Sequence, residues 1–223
     1  MSSRNAFYEE VTSRFGLVPN FFMSAPNAPE IIEKLWDFAK AAYLDNPMPS
    51  LFKERLFVFL SRFCPARYCI IRHCGFLLGR GYSSGDSKAP AQQVSEVIHL
   101  LRSPPPWRRK LEPVYEGLAT QKKPLGWPEP GTHLEDWVFT AAAVIFVEPS
   151  QADRPLTLLR EALGGRRFEY FVALLAFIRT AHYWTATHPG LEIEDDVREL
   201  MTANPDLASL LLQDPDAGRG EGR

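Results

Sequence analysis

The sequence predicts an all-α fold, and three features of the chain indicate it. Apolar residues recur at helical spacing in about ten segments, and no segment shows the apolar–polar alternation of a strand. Proline, glycine and capping residues separate the segments. The segments 55–63, 68–78 and 166–187 are apolar on most faces, which is typical of helices buried at the centre of a bundle.

Signals for helix ends set the expected elements. Ser50 is expected to cap a helix that Pro65 separates from the next one, because proline cannot continue the helical ladder. Thr132 and Glu135 resemble a capping box, and Asp153 is expected to cap the helix after it. The expected helices are 6–15, 28–44, 51–63, 66–78, 90–101, 108–120, 133–147, 154–163, 166–187, 192–203 and 205–213.

Loop composition divides the chain into parts. The expected parts are an N-terminal helical half over 1–85, a helical connection with proline-rich loops over 86–130, a C-terminal helical half over 131–213 and a disordered tail over 214–223. The regions 50–81 and 154–188 each place a capped helix before a strongly apolar one. This similarity leaves open an arrangement of two pseudo-symmetric halves.

Composition excludes several classes of partner. With 45% hydrophobic and 12% aromatic residues, the chain has enough apolar area for a core. The formal net charge of −2 gives no electrostatic footprint for nucleic acid or an anionic membrane. The richest apolar run, over 170–184, is interrupted by Arg179, and the N-terminus lacks an apolar leader. We expect a cytoplasmic protein without a membrane span.

The hairpin around Pro65 concentrates the reactive side chains. From the helical rise, Glu54 lies roughly 15 Å before the turn and His73 roughly 12 Å after it, so antiparallel packing lets the two meet. Cys69 lies one helical turn from His73 on the same face. The sequence therefore predicts that a carboxylate, an imidazole and a thiol converge.

Cys69 is expected to be a reactive thiol. It falls in the first turn of its helix, where free backbone N–H groups favour an anion, and Arg67 and Arg72 are near in sequence. Both features favour the thiolate. A buried structural cysteine is the alternative.

The other two cysteines carry weaker expectations. Cys64 is a candidate resolving thiol if the turn folds back toward Cys69, whereas Cys74 is expected in the core. The spacing of these cysteines and His73 matches no zinc pattern, so we expect neither a metal nor a cofactor.

Four arginines fall in otherwise apolar helices. An unpaired buried charge is unfavourable, so each needs a partner or solvent. They could also line an oligomer interface or an anion-attracting cleft. These residues are Arg62, Arg67, Arg72 and Arg179.

The hairpin also resembles a known family. Read as E-x11-A-x2-C-x3-H, the residues Glu54, Ala66, Cys69 and His73 resemble the signature of the alkylhydroperoxidase D (AhpD)/carboxymuconolactone decarboxylase superfamily. The preceding segment FGLVPNFFMSAPNAPEI (15–31) is similar to the approach to that hairpin in the same superfamily.

The resemblance implies a reactive constellation. In redox-active members a C-x-x-C pair reduces peroxide, one cysteine attacking and the other resolving, while a glutamate and a histidine relay the proton. Carried onto this chain, Glu54, Cys69 and His73 match the pattern. Ala66 stands in place of the first cysteine, and Tyr68 stands where redox members often have a second histidine.

A second resemblance concerns architecture. The segments 50–81 and 174–189 are similar to the N-terminal regions of bacterial PAS-containing sensor kinases that begin with an AhpD-like domain. This implies a redox or small-ligand sensing module with a downstream PAS or kinase domain as partner. The superfamily resemblance also implies a homo-oligomer.

Three other functions stay open. The first is a thiol-dependent alkylhydroperoxide reductase that uses Cys69 with a Glu54/His73 proton relay and an external thiol reductant. The second is a carboxymuconolactone decarboxylase-like enzyme in which His73 is the acid and base, and the third is a non-catalytic scaffold.

Overall fold

A computed structural model describes residues 3–215, and within that range it contains eleven α-helices and no strand. The predicted all-α fold is confirmed. Of the expected tail, residues 216–223 lie outside the described range. The helices are α1 (Ser3–Phe15), α2 (Pro29–Ala39), α3 (Ser50–Ser61), α4 (Tyr68–Leu77), α5 (Val94–Arg102), α6 (Glu112–Ala119), α7 (His133–Val147), α8 (Asp153–Leu163), α9 (Gly165–Ala186), α10 (Asp195–Ala203) and α11 (Pro205–Leu211).

Two expected caps are wrong. Ser50 is the first residue of α3, and the extended residue Pro49 precedes it and accepts the first backbone hydrogen bond, from Lys53 at 3.0 Å. Asp153 is likewise the first residue of α8, which Ala152 precedes. In both cases the chain enters the helix one residue earlier than the polar side chain suggests.

The caps of α7 and α5 rest on side chains. Thr132 caps α7 as predicted, since its hydroxyl accepts the N–H of Glu135 at 3.2 Å. Gln93 and Glu96 form a capping box at the start of α5, where the sequence predicts no cap. The box explains why α5 begins at Val94 instead of near residue 90.

A π-helical turn extends α2 over Lys40–Leu44. The buried ammonium of Lys53 donates to the carbonyls of Tyr43, Leu44 and Asn46 at 2.6, 3.0 and 2.9 Å. Three acceptors satisfy its three donors. This clamp fixes the end of the helix and therefore the position of Tyr43.

The core is built around α3. All its residues from Phe52 to Ser61 are buried, and the same hydrophobic cluster extends from Val11 to Leu211, so both halves of the chain share it. The expected division of the chain into four parts and the pseudo-symmetry of its two halves stay predictions.

The helix α9 differs from its expected environment. It buries one face against the core, but Val172 and Tyr183 on its other side are 37% and 73% exposed. It is therefore not enclosed on all sides. No helix among residues 3–215 is both long and apolar enough to cross a membrane.

A buried ion pair joins α3 to α7. Arg55 donates to both carboxylate oxygens of Glu135, at 2.6 and 2.7 Å, and to Gln92 at 2.8 Å. Glu135 also accepts the N–H of Gly131 at 2.8 Å. Because both side chains are only 4% and 6% exposed, neither charge has water as an alternative partner.

Glu135→Ala should lower the free energy of unfolding by about 3–5 kcal/mol, because it leaves the Arg55 charge buried and unpaired. Urea denaturation measures the change. The control is Glu112→Ala, which breaks the exposed pair with Arg154 and should have a much smaller effect. Equal losses in the two variants would contradict a structural role for the buried pair.

Candidate functional site

The hairpin brings Glu54 and His73 into contact. Glu54 Oε1 lies 2.6 Å from His73 Nδ1, and Glu54 is fully buried. The geometry confirms the predicted meeting of these two residues across the interface between α3 and α4. Because an ionised carboxylate can only accept hydrogen bonds, it fixes the proton of the imidazole on Nδ1.

The second oxygen of Glu54 has three further donors. The hydroxyl of Tyr43 donates to Oε2, and Ser84 donates to it from its backbone N–H at 2.6 Å and its hydroxyl at 3.2 Å. Burial, together with the charge of Glu54, raises the pKa of Tyr43 well above its ordinary value. Tyr43 therefore stays protonated and remains a donor. These bonds stabilise an ionised carboxylate that has no access to water.

One ring nitrogen of His73, Nε2, is available for proton transfer. Its ring stacks on Phe57, with centroids 3.5 Å apart and planes inclined by 15°, so its orientation is fixed. Nδ1 is engaged by Glu54, whereas Nε2 makes no hydrogen bond to residues 3–215. A carboxylate-oriented imidazole with a free Nε2 can accept and return a proton.

A small cavity of about 40 Å³ adjoins this histidine. His73, Cys69 and Arg72 line it, and most of the remaining wall is aromatic. On the usual requirement for an enclosed water, the volume admits roughly two or three water-sized molecules. The cavity therefore fits a very small ligand and excludes a bulky one.

Cys69 shares the cavity but is not poised as a thiolate. It is 2% exposed, and its sulfur lies 3.6 Å from the Thr185 hydroxyl on α9. Burial raises the pKa of its thiol to about 12, although Thr185 opposes the shift. The expectation of a stabilised thiolate is wrong, because desolvation outweighs the favourable position at the start of α4.

The arginines near Cys69 in sequence form their bonds with groups other than its sulfur. Arg67 donates to the carbonyls of Leu211 and Cys64 at 2.7 and 2.8 Å. Arg72 forms a bidentate pair with Asp196 at 2.8 and 3.0 Å. Nearness in sequence did not place either charge on the Cys69 sulfur.

The other cysteines are free and buried. Cys64 lies 4.0 Å from the carbonyl of His182, and burial raises the pKa of its thiol. The Thr185 hydroxyl lies 3.1 Å from the same His182 carbonyl and 3.6 Å from the Cys69 sulfur, so both cysteines lie near this hydroxyl. Cys74 is fully buried, as expected.

Three partners of the site are not among the residues that the sequence predicts for it. Tyr43 lies in a π-helical turn, a feature often found at functional sites, but its sequence position gives only an apolar residue of a helix. Ser84 lies between predicted helices and has a φ of 49°, which is uncommon for serine. Thr185 comes from a distant helix, and no local signal identifies it.

Tyr68 has a structural role. Its hydroxyl donates to Glu194 at 2.5 Å and accepts the N–H of Phe21 at 3.1 Å.

Among the described residues, no group of three or more His, Cys, Asp or Glu side chains is placed to hold a metal ion.

The rate of alkylation measures the protonation and burial of the Cys69 thiol in a Cys64→Ser/Cys74→Ser background. Near neutral pH the folded protein should react with iodoacetamide about a thousandfold more slowly than the unfolded chain, because the raised pKa reduces the thiolate fraction. The control carries Ser87→Cys, at an exposed position, with all three native cysteines replaced by serine. Its rate should change little on unfolding. Rapid labelling of folded Cys69 would contradict the buried thiol.

A second measurement tests His182, which is hydrogen-bonded to Ser61 at 2.8 Å. Burial, with repulsion from His73 and Arg179, lowers its pKa to about 3. Below an unfolded pKa of about 6.5, only the unfolded chain gains this proton, so stability is lost as the pH falls. At about pH 5 the loss should be about 2 kcal/mol by urea denaturation.

His182→Gln should remove this part of the acid sensitivity, whereas His99→Gln, at an exposed position, should leave it unchanged. An identical pH profile in wild type and His182→Gln would contradict the assignment.

Comparison of the chain with protein-family models, with curated proteins and with solved structures found no match.

Proposed function

We propose that this chain is an AhpD-like domain that senses a small peroxide by oxidation of Cys69. One observation carries the proposal: the Glu54-oriented His73 and Cys69 line the same small cavity. The motif in the sequence and the all-helical fold also support it. In this role Cys69 is the oxidised group, His73 transfers the proton, and Glu54 orients His73.

The size of the cavity selects the oxidant. About 40 Å³ holds a molecule as small as hydrogen peroxide, whereas an organic hydroperoxide would have to displace the aromatic wall. Close-packed aromatic side chains resist such displacement. Hydrogen peroxide is therefore the preferred oxidant.

The proposed step balances as a two-electron oxidation. The Cys69 proton passes through the bound peroxide to His73 Nε2, and the sulfur attacks one peroxide oxygen. The S–O bond forms as the O–O bond breaks, and His73 returns the proton to the departing hydroxide, which leaves as water. The products are Cys69 sulfenic acid and water, and a cellular thiol reductant restores the thiol through a mixed disulfide.

The surroundings of Cys69 favour sensing over rapid turnover. A fast thiol peroxidase needs an accessible thiol of low pKa, but Cys69 is buried and its pKa is raised to about 12. Ala66 also stands where redox-active relatives of the motif have their first cysteine. A sulfenic oxygen on Cys69 would enlarge a side chain packed between α4 and α9, so oxidation would disturb that contact.

A thiol peroxidase is the second candidate function. Cys64 contacts the His182 carbonyl, and Cys69 lies beside the Thr185 hydroxyl that is close to the same carbonyl, which favours Cys64 as the resolving thiol. The Cys64 thiol would attack the sulfenic acid of Cys69 and release water as a disulfide forms. An external thiol reductant would then complete each cycle.

The sensing proposal also includes a cellular location, an oligomeric state and partner domains. It sets the domain in the cytoplasm as a homo-oligomer whose oxidation state is passed to a PAS or kinase domain. The reductant is a small-molecule or protein thiol.

Trapping of sulfenic acid with dimedone, followed by mass spectrometry of the intact chain, tests the proposal. Hydrogen peroxide should modify Cys69, and cumene hydroperoxide should do so at least about tenfold more slowly because it is too large for the cavity. Glu54→Gln should slow the reaction about a hundredfold, since a misoriented His73 transfers the proton poorly. The control Glu33→Gln changes an exposed residue of α2 and should have no effect.

Two outcomes decide between the candidates. Catalytic consumption of peroxide with added dithiothreitol, lost in Cys64→Ser, would favour the peroxidase. Absence of a Cys69 adduct in folded protein that still reacts when unfolded would contradict both functions.

A further inference from the structure

A second concave site lies beyond the hairpin turn, and none of its lining residues belongs to the cavity beside His73. Its volume is about 460 Å³, within the usual range for small-molecule pockets of roughly 300–1,000 Å³. We call it the arginine cleft, because four arginines line it together with two aromatic residues. These residues are Arg62, Arg67, Arg102, Arg108, Phe63 and Trp107.

The charge of the cleft is strongly one-sided. Asp214 is the only carboxylate among its described lining residues, and its charge acts on Arg67. Arg102 and Arg108 are exposed and form no ion pair within residues 3–215. Among the described lining residues, positive charges therefore exceed negative ones by three, on a chain whose overall charge is slightly negative.

Arg62 forms no ion pair with a carboxylate among residues 3–215. Arg55 and Arg72 pair with carboxylates, whereas Arg62 donates to the carbonyls of Phe59, Leu101 and Ser103. Its Nη2 is buried and has no hydrogen-bond partner. Burial and repulsion from Arg109 lower the pKa of Arg62, although the charge of Asp136 opposes the shift.

Two consequences follow from the position of Arg62. Its charge contributes a positive field inside the cleft, where little water screens it. Its bonds to Leu101 and Ser103, at 3.0 and 2.6 Å, also hold the C-terminal end of α5, where Arg102 lies. Arg62 is therefore a positioning residue, and the exposed guanidinium groups of Arg102 and Arg108 are free to contact a ligand.

The aromatic part of the cleft suits an organic group. The rings of Phe63 and Trp107 pack edge to face, with centroids 5.5 Å apart. They give the cleft an apolar surface beside the arginines. A ligand that uses both surfaces carries an anionic group and a planar apolar group.

We propose that the arginine cleft binds a phosphorylated small molecule, with the phosphate on Arg102 and Arg108 and the organic group against Phe63 and Trp107. Arginine favours phosphate because its planar, forked donors match two phosphate oxygens. The concave shape favours a small molecule over an extended polymer. This site is independent of the proposed oxidation of Cys69.

Calorimetry with phenyl phosphate and with inorganic phosphate at low salt tests the proposal. Phenyl phosphate should bind about tenfold more tightly, because only it reaches the aromatic surface. Arg102→Gln/Arg108→Gln should weaken binding at least about tenfold. Both substitutions are at exposed positions, so the variant should fold, which circular dichroism checks.

The matched control is Arg4→Gln/Arg166→Gln. It removes the same charge from two exposed arginines that hydrogen-bond to tyrosine hydroxyls and lie outside the cleft. Its affinity for phenyl phosphate should be that of wild type. Failure of phenyl phosphate to bind wild type, or equal weakening in the two double variants, would overturn the proposal. Equal affinity for the two probes would overturn the aromatic part of it.

Discussion

The buried carboxylate of Glu54 is the constraint on which the centre of this molecule depends. A carboxylate removed from water is strongly unfavourable unless donors surround it. Here the donors come from three other parts of the chain, namely Tyr43 after α2, His73 on α4 and the loop at Ser84. Satisfying one charge therefore fixes four segments relative to one another, and the cavity lies where they meet.

The neighbouring residues show how strongly this arrangement is held. Lys53 precedes Glu54 on α3, is equally buried, and holds the carbonyls around Tyr43. Ser84 keeps a φ of 49°, a conformation that a serine rarely adopts without support. Its backbone N–H and hydroxyl both reach Glu54, and these two bonds stabilise the unusual backbone. The site is thus a rigid one, with the histidine further fixed by Phe57.

A rigid site with a buried thiol suits a reaction that begins only when a small oxidant enters the cavity. The acid–base pair is in place before any ligand arrives, whereas burial holds the Cys69 thiol protonated. The proposed sensing function places the selectivity in the cavity, since access and size decide which oxidant meets the sulfur. The arginine cleft has the opposite character, because it is open, charged and large.

The sequence by itself determined the helical class, most helix positions and the meeting of Glu54 with His73, because helical periodicity and the break at Pro65 are local properties. It did not determine the protonation state of Cys69, since burial against α9 and the bonds of Arg67 and Arg72 to other partners depend on packing between distant segments. The contacts of Tyr43 and Ser84 with Glu54 could not be predicted for the same reason. Only the tertiary structure decided which side chains would surround each buried charge, because desolvation and hydrogen bonding depend on three-dimensional neighbours.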